Sequence, residues 1–125
     1  MKRIAILIAA AILCLAAAGC DRGRASRAAL IRSGGDPARG PLALLKYGCT
    51  SCHSIPGIKQ ADSWVGPPLD RYSRRPSVAG TLPNTPENLM LFILDPASVR
   101  PGTTMPDAGL TEDEARDIAA YLYSR

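Results

Sequence analysis

The chain has 125 residues, with 15 Lys or Arg against 11 Asp or Glu, four Cys, one His, one Phe and one Trp. That length holds one domain, and a formal charge of +4 is too small to point to nucleic acid. So few large apolar side chains exclude a large self-sufficient core, and a domain of this size gains from a staple such as a disulfide, a metal or a bulky cofactor.

The chain opens MKRIAILIAAAILCLAAAGC. Lys2 and Arg3 form a positive start, residues 4–18 an apolar run, and small residues precede Cys20, which is the layout of a secretory signal. The apolar run falls short of the roughly 20 residues that a helix needs to cross the hydrocarbon. "LAAAGC" resembles the lipobox of bacterial lipoproteins, with Ala17 where that family usually has leucine. The resemblance implies a diacylglyceryl group on Cys20 and stable membrane attachment. Simple cleavage at an A-x-A-like site, residues 16–18, is the alternative. Without the leader the balance falls to 13 basic and 11 acidic residues, or +2. Arg22, Arg24, Arg27 and Arg32 crowd the new start, where they meet anionic headgroups or simply solvate a tether. DRGRASRAALIRSGGD, residues 21–36, is rich in Arg, Ala, Gly and Ser and reads as a linker. The organisation is therefore a lipoprotein-type signal at 1–19, a tether at 20–36 and a folded domain at 37–125.

Three helices are predicted in that domain. The first spans about 40–47, with Pro41 as its first helical residue and Leu42, Leu45 and Leu44 on one side. The second starts at Thr85-Pro86-Glu87, an N-cap followed by proline, and stops before Pro96. The third opens on the capping box TEDE at 111–114, after which Ala115, Ile118, Ala119 and Leu122 recur at helical spacing. Between them lie proline-punctuated loops at 54–84 and 95–110, and no stretch alternates like a strand. A loop of about 30 residues in a compact domain needs something to wrap.

CTSCH, residues 49–53, gathers two cysteines and the only histidine. A redox C-x-x-C pair needs a βαβ context that is missing here. Zinc normally needs four ligands, and the mature chain offers only Cys20 besides these three. A disulfide between Cys49 and Cys52 leaves His53 without a role. C-x-x-C-H as the attachment signature of c-type haem uses all three: the thiols form thioethers and His53 is the proximal iron ligand. One motif means one haem, and no second histidine exists to take the sixth position. Met90, inside the apolar run 89–94, reads as core filler. Met105, in the proline-flanked loop PGTTMPDAG, reads as the sixth ligand.

These residues resemble a class I cytochrome c over essentially all of 37–125: a helix running into CTSCH, then GPPL, a middle helix, MP and a final helix. VAGTLPNTPENL (78–89) and RPGTTMPDAGLTEDEARDIAAYL (100–122) further resemble the monohaem domain that accompanies subunit II of caa-type terminal oxidases. The resemblance implies a small all-α fold with three main helices and long loops around one covalent haem c. It implies that the carbonyl of Pro67 takes the Nδ1–H of His53. It also implies that Arg75, or a neighbour among Arg71 and Arg74, faces a haem propionate. Trp64 matches no residue of that family and reads as packing. The implied function is one-electron transfer in a bacterial respiratory chain, exported and membrane-attached, to or within a terminal oxidase, with quinol–cytochrome c reductase as a further redox partner. An electron-relay subunit of a periplasmic dehydrogenase, or a gas-binding or peroxidatic haem module, is the alternative.

Overall fold

The computed structural model describes residues 32–125. The signal, Cys20 and Arg22, Arg24 and Arg27 lie outside the described residues. Four helices occur in order: α1 (Gly40–Lys46), α2 (Pro86–Leu94), α3 (Pro96–Val99) and α4 (Glu112–Tyr123). An antiparallel ribbon of β1 (Ser77–Val78) and β2 (Leu82–Pro83) precedes α2, pairing Ser77 with Pro83 and Val78 with Leu82. The architecture is the small, mostly helical one expected, with α1 and α2 both packed on α4.

Local chemistry sets these boundaries. The Thr85 hydroxyl accepts from the Asn88 N–H at 3.2 Å, which caps α2. Thr111 and Glu114 form the reciprocal capping box that starts α4. Pro41 is the second residue of α1 rather than the first, which is harmless because that N–H has no intrahelical partner either. Asp95 caps α3 by accepting from the Ser98 N–H at 3.1 Å, and Pro96 supplies the first turn. The ribbon turns through Ala79 and Gly80 at φ 52° and 76°, a pair of left-handed residues that suits a tight hairpin.

The core is Leu44, Val78, Leu89, Ile93, Ala115, Ile118, Ala119 and Leu122, joined by Tyr72, Tyr121 and Tyr123. α4 is covered almost all round, so its periodic residues are buried as the spacing predicts, and Asp117 is buried with them. The backbone N–H of Asp36 donates to Asp117 Oδ1 at 2.7 Å and the Arg39 guanidinium to Oδ2 at 2.8 Å. These bonds hold the carboxyl below its ordinary pKa. α1 can approach α4 closely because Gly40 has no side chain: an added Cβ would lie 2.7 Å from the Asp117 carbonyl oxygen and strike Tyr121.

Three expectations are corrected. α1 turns Ala43 and Leu44 inward and leaves Leu42 at 72% and Leu45 at 52% exposure, because the contact with α4 is set by Gly40. Trp64 is 79% exposed rather than packed, since its loop is held by backbone bonds and not by its side chains. The stretch 95–110 contains a helix, and 54–84 contains the ribbon.

Candidate functional site

α1 delivers the chain into CTSCH. Gly48, at φ 68°, breaks the helix in the left-handed conformation that glycine tolerates. Residues Cys49–Ser51 then make a tight helical turn. Its bonds run from Cys52 N–H to Cys49 O at 3.3 Å and from His53 N–H to the same oxygen at 3.0 Å. The turn gathers both thiols and the imidazole within one revolution. Cys49 and Cys52 are free and half-buried, and burial raises the pKa of the Cys49 thiol.

The loop that follows folds back onto this turn. Gly66 N–H donates to Cys52 O at 2.7 Å, and Leu69 N–H donates to Ser54 O at 2.8 Å. His53 Nδ1 lies 2.7 Å from the Pro67 carbonyl oxygen, so that nitrogen carries the proton and Nε2 is left with its lone pair. The ring lies flat on Gly66, where an added Cβ would stand 2.5 Å from Cε1 and 2.8 Å from Nδ1. Only glycine leaves that room.

Arg75 braces the same segment. Its guanidinium donates to the carbonyl of Pro68, the residue after Pro67, and to that of Asp70 at 3.4 Å. It also lies over the Tyr72 ring at 4.9 Å. Met105 is half-buried on the loop before α4, packs against the core and is fixed by its N–H donating to Thr103 Oγ1 at 3.2 Å. Met90 also packs partly buried against the core, on the opposite side of the chain's order from CTSCH. The structure thus brings Cys49, Cys52, His53 and Pro67 together, with Arg75 holding the adjoining turn.

Two braces escaped the sequence reading. The Tyr121 hydroxyl donates to Pro56 O at 2.5 Å, and the Tyr123 hydroxyl donates to Asn84 Oδ1 at 2.6 Å. Asn84 in turn donates to the carbonyls of Tyr72 at 2.8 Å and Arg75 at 2.9 Å. The signal for them was two tyrosines on a helix otherwise filled with small apolar residues, since a buried phenol needs a partner.

A c-type haem fits what these residues offer. The two thiols are unpaired and one turn apart, and the imidazole presents a single free nitrogen whose orientation is fixed from behind.

Comparison with known proteins agrees. Residues 38–125 match the family model described as cytochrome c. The chain is 35% identical over 77 residues to cytochrome c oxidase subunit 2 of Alkalihalophilus pseudofirmus, covering 61% of this chain and 22% of that protein. It is 31% identical over 86 residues to the same subunit of Bacillus sp. (strain PS3), covering 66% of this chain and 24% of that protein. A third relative, cytochrome c-552 of Bradyrhizobium diazoefficiens, is 35% identical over 81 residues, covering 65% of this chain and 67% of that protein. The chain therefore spans less than a quarter of the oxidase subunits it matches. No solved structure matches it. With the attachment turn and the family match in agreement, the chain belongs to the cytochrome c family, binds a c-type haem covalently and serves electron transfer.

Proposed function

We infer that the chain is a one-electron carrier with His53 and Met105 as axial ligands, delivering electrons to or within a terminal oxidase. The observation that carries this reading is the 2.7 Å approach of His53 Nδ1 to Pro67 O, which leaves Nε2 as the ring's only free donor. A covalent haem supplies a one-electron couple, and a histidine–methionine pair favours a high potential while leaving no vacant site for oxygen or peroxide. Within the chain, Cys49 and Cys52 serve as the thioether anchors, Pro67 orients the imidazole, and Met105 reaches the iron from its proline-flanked loop. Arg75, as braced, holds the turn behind Pro67, and its role toward a propionate belongs to the same reading.

The oxidase as partner is supported by relatives named as oxidase subunits. Quinol–cytochrome c reductase is the matching donor. Membrane attachment rests on the lipobox-like Cys20, with the domain exported to the periplasmic side. Among the described residues no helix is long and apolar enough to cross a membrane. Likeness to a small cytochrome c-552, two thirds of which is covered, favours a stand-alone carrier over a subunit that works only in a complex.

Methionine ligation is testable by the weak near-infrared band of thioether bound to ferric haem. The band is expected in the parent and in Met90→Ala, and lost in Met105→Ala together with a fall in potential. Ready binding of carbon monoxide by the reduced parent would instead favour the gas-binding alternative.

A further inference from the structure

The exposed large apolar side chains of the described residues are not scattered. Of the five, Leu42, Leu45, Trp64 and Val65 all adjoin the CTSCH turn, and only Leu91 lies elsewhere, on α2. Leu42 and Leu45 stand one turn apart on the outer face of α1, and Gly48 N–H donates to Leu45 O at 3.1 Å just before Cys49. Trp64 and Val65, at 79% and 83% exposure, immediately precede Gly66, whose N–H is bonded to Cys52 O. Singly exposed apolar residues need no explanation, but four around one functional turn do.

Charge says what kind of partner suits them. Of the 15 basic residues, Lys2, Arg3, Arg22, Arg24 and Arg27 precede residue 32, and of the 11 acidic ones only Asp21 does. Ten of each remain, so the folded domain is neutral, and long-range attraction cannot be its main means of finding a partner. The chain meanwhile enters the domain elsewhere: Arg32 is bonded to Glu87 on α2 at 2.8 and 3.0 Å. A membrane-facing surface would be expected at that end, whereas the apolar residues surround the redox turn.

We propose that Leu42, Leu45, Trp64 and Val65 form the docking face for the redox partner, an oxidase that presents an uncharged apolar patch at its electron-accepting site, with Trp64 as the anchor. The proposal rests on the carrier reading above and specifies its encounter. Tryptophan is among the residues enriched at interface hot spots, and interface centres are depleted of charge. In the encounter one electron passes, the carrier becoming oxidised and the oxidase centre reduced, with no bond made or broken.

The test is stopped-flow oxidation of the full-length reduced holoprotein by purified terminal oxidase of the cell that makes it. Trp64→Ala and Leu45→Asn should each slow the second-order rate, by about tenfold or more for Trp64. Trp64→Phe should recover most of it. Haem content, potential and the rate with ferricyanide, a small oxidant needing no docking face, should match the parent. Raising salt from about 10 mM to about 100 mM shortens the Debye length from about 30 to about 10 Å, and should change the parent's rate less than twofold. An unchanged oxidase rate in Trp64→Ala overturns the proposal. So does a change in haem content or potential, which would make Trp64 a packing residue of the cofactor. Loss of binding to phosphatidylcholine vesicles in Trp64→Ala with an intact oxidase rate would assign the face to the membrane and overturn it equally. A parent that the oxidase does not oxidise at all defeats the carrier reading itself, a result separate from any variant's.

Discussion

Gly66→Ala probes the seat of the imidazole directly. Gly66 does not occupy a left-handed conformation, so alanine adds no backbone strain there and the effect is purely steric. The new methyl would stand 2.5 Å from His53 Cε1, 2.8 Å from Nδ1 and 3.1 Å from Nε2. Ordinary carbon contacts lie at about 3.5–4.0 Å, so ring or loop must give way by about 1 Å. A shift of that size takes the 2.7 Å approach to Pro67 O beyond hydrogen-bond range. Overpacking of this kind costs about 1–3 kcal/mol. Losing the bond that orients a ligand costs a further 10–100-fold or so in metal affinity or activity. Guanidinium unfolding of the holoprotein, followed together with haem content and the visible spectrum, should show a lower midpoint and a perturbed spectrum. Gly35→Ala is the control. Its Cβ would press on the Asp117 N–H at 2.6 Å, far along the chain from CTSCH, so stability should fall while the spectrum holds. A Gly66→Ala protein with the parent's midpoint and spectrum would refute the flat seating of His53 on Gly66.

The other expectations concern the braces, acid stability and attachment. Tyr121→Phe removes the donor to Pro56 O and should lower stability by about 1 kcal/mol in guanidinium unfolding; an unchanged midpoint would show that the bond contributes nothing. Glu114, bonded first of all to Lys46 and then to Tyr47 and Thr111, has its pKa lowered from 4.5 to about 2. A depressed carboxyl stabilises the fold fully above its unfolded value, and that contribution is lost as pH falls from about 4.5 toward 2. Far-ultraviolet circular dichroism against pH should therefore show a shallower acid limb in Glu114→Gln, with Asp117 retaining some slope; identical limbs would refute the assignment. Cys20→Ser should move the protein from the membrane to the soluble fraction with its haem spectrum unchanged, whereas a parent already soluble would mean simple cleavage.

The helices were legible because their boundaries are written in short-range chemistry. Thr85-Pro86 and TEDE at 111–114 act within one turn, and the structure uses both caps. What failed depended on partners distant in sequence. Whether Leu45 or Leu44 turns inward is decided by Gly40 meeting Tyr121, which no local pattern contains. Helix α3 is four residues long, below the reach of any periodicity, though Asp95-Pro96 was a readable start signal. The ribbon has only two residues per strand and rests on its turn rather than on alternation. At the site, CTSCH was legible because attachment chemistry fixes both residue types and spacing. Trp64 was not, because exposure of a large aromatic follows from a loop pinned by its backbone.

The clasp between Asp36 and Asp117 joins positions 81 apart, and the CTSCH turn lies inside the ring it closes. Closing a loop of that length carries an entropic cost that grows only as the logarithm of its length, but it must be met before the distant contacts form. Tyr121 and Tyr123 then tie Pro56 and Asn84, two points of the long internal loop, to the same helix. Ends and middle are thereby made one cooperative unit, whose amides should exchange with solvent together. Trimming the last five residues would accordingly remove both tyrosine ties at once, loosening the loop around the attachment turn although every residue of that turn remained in place.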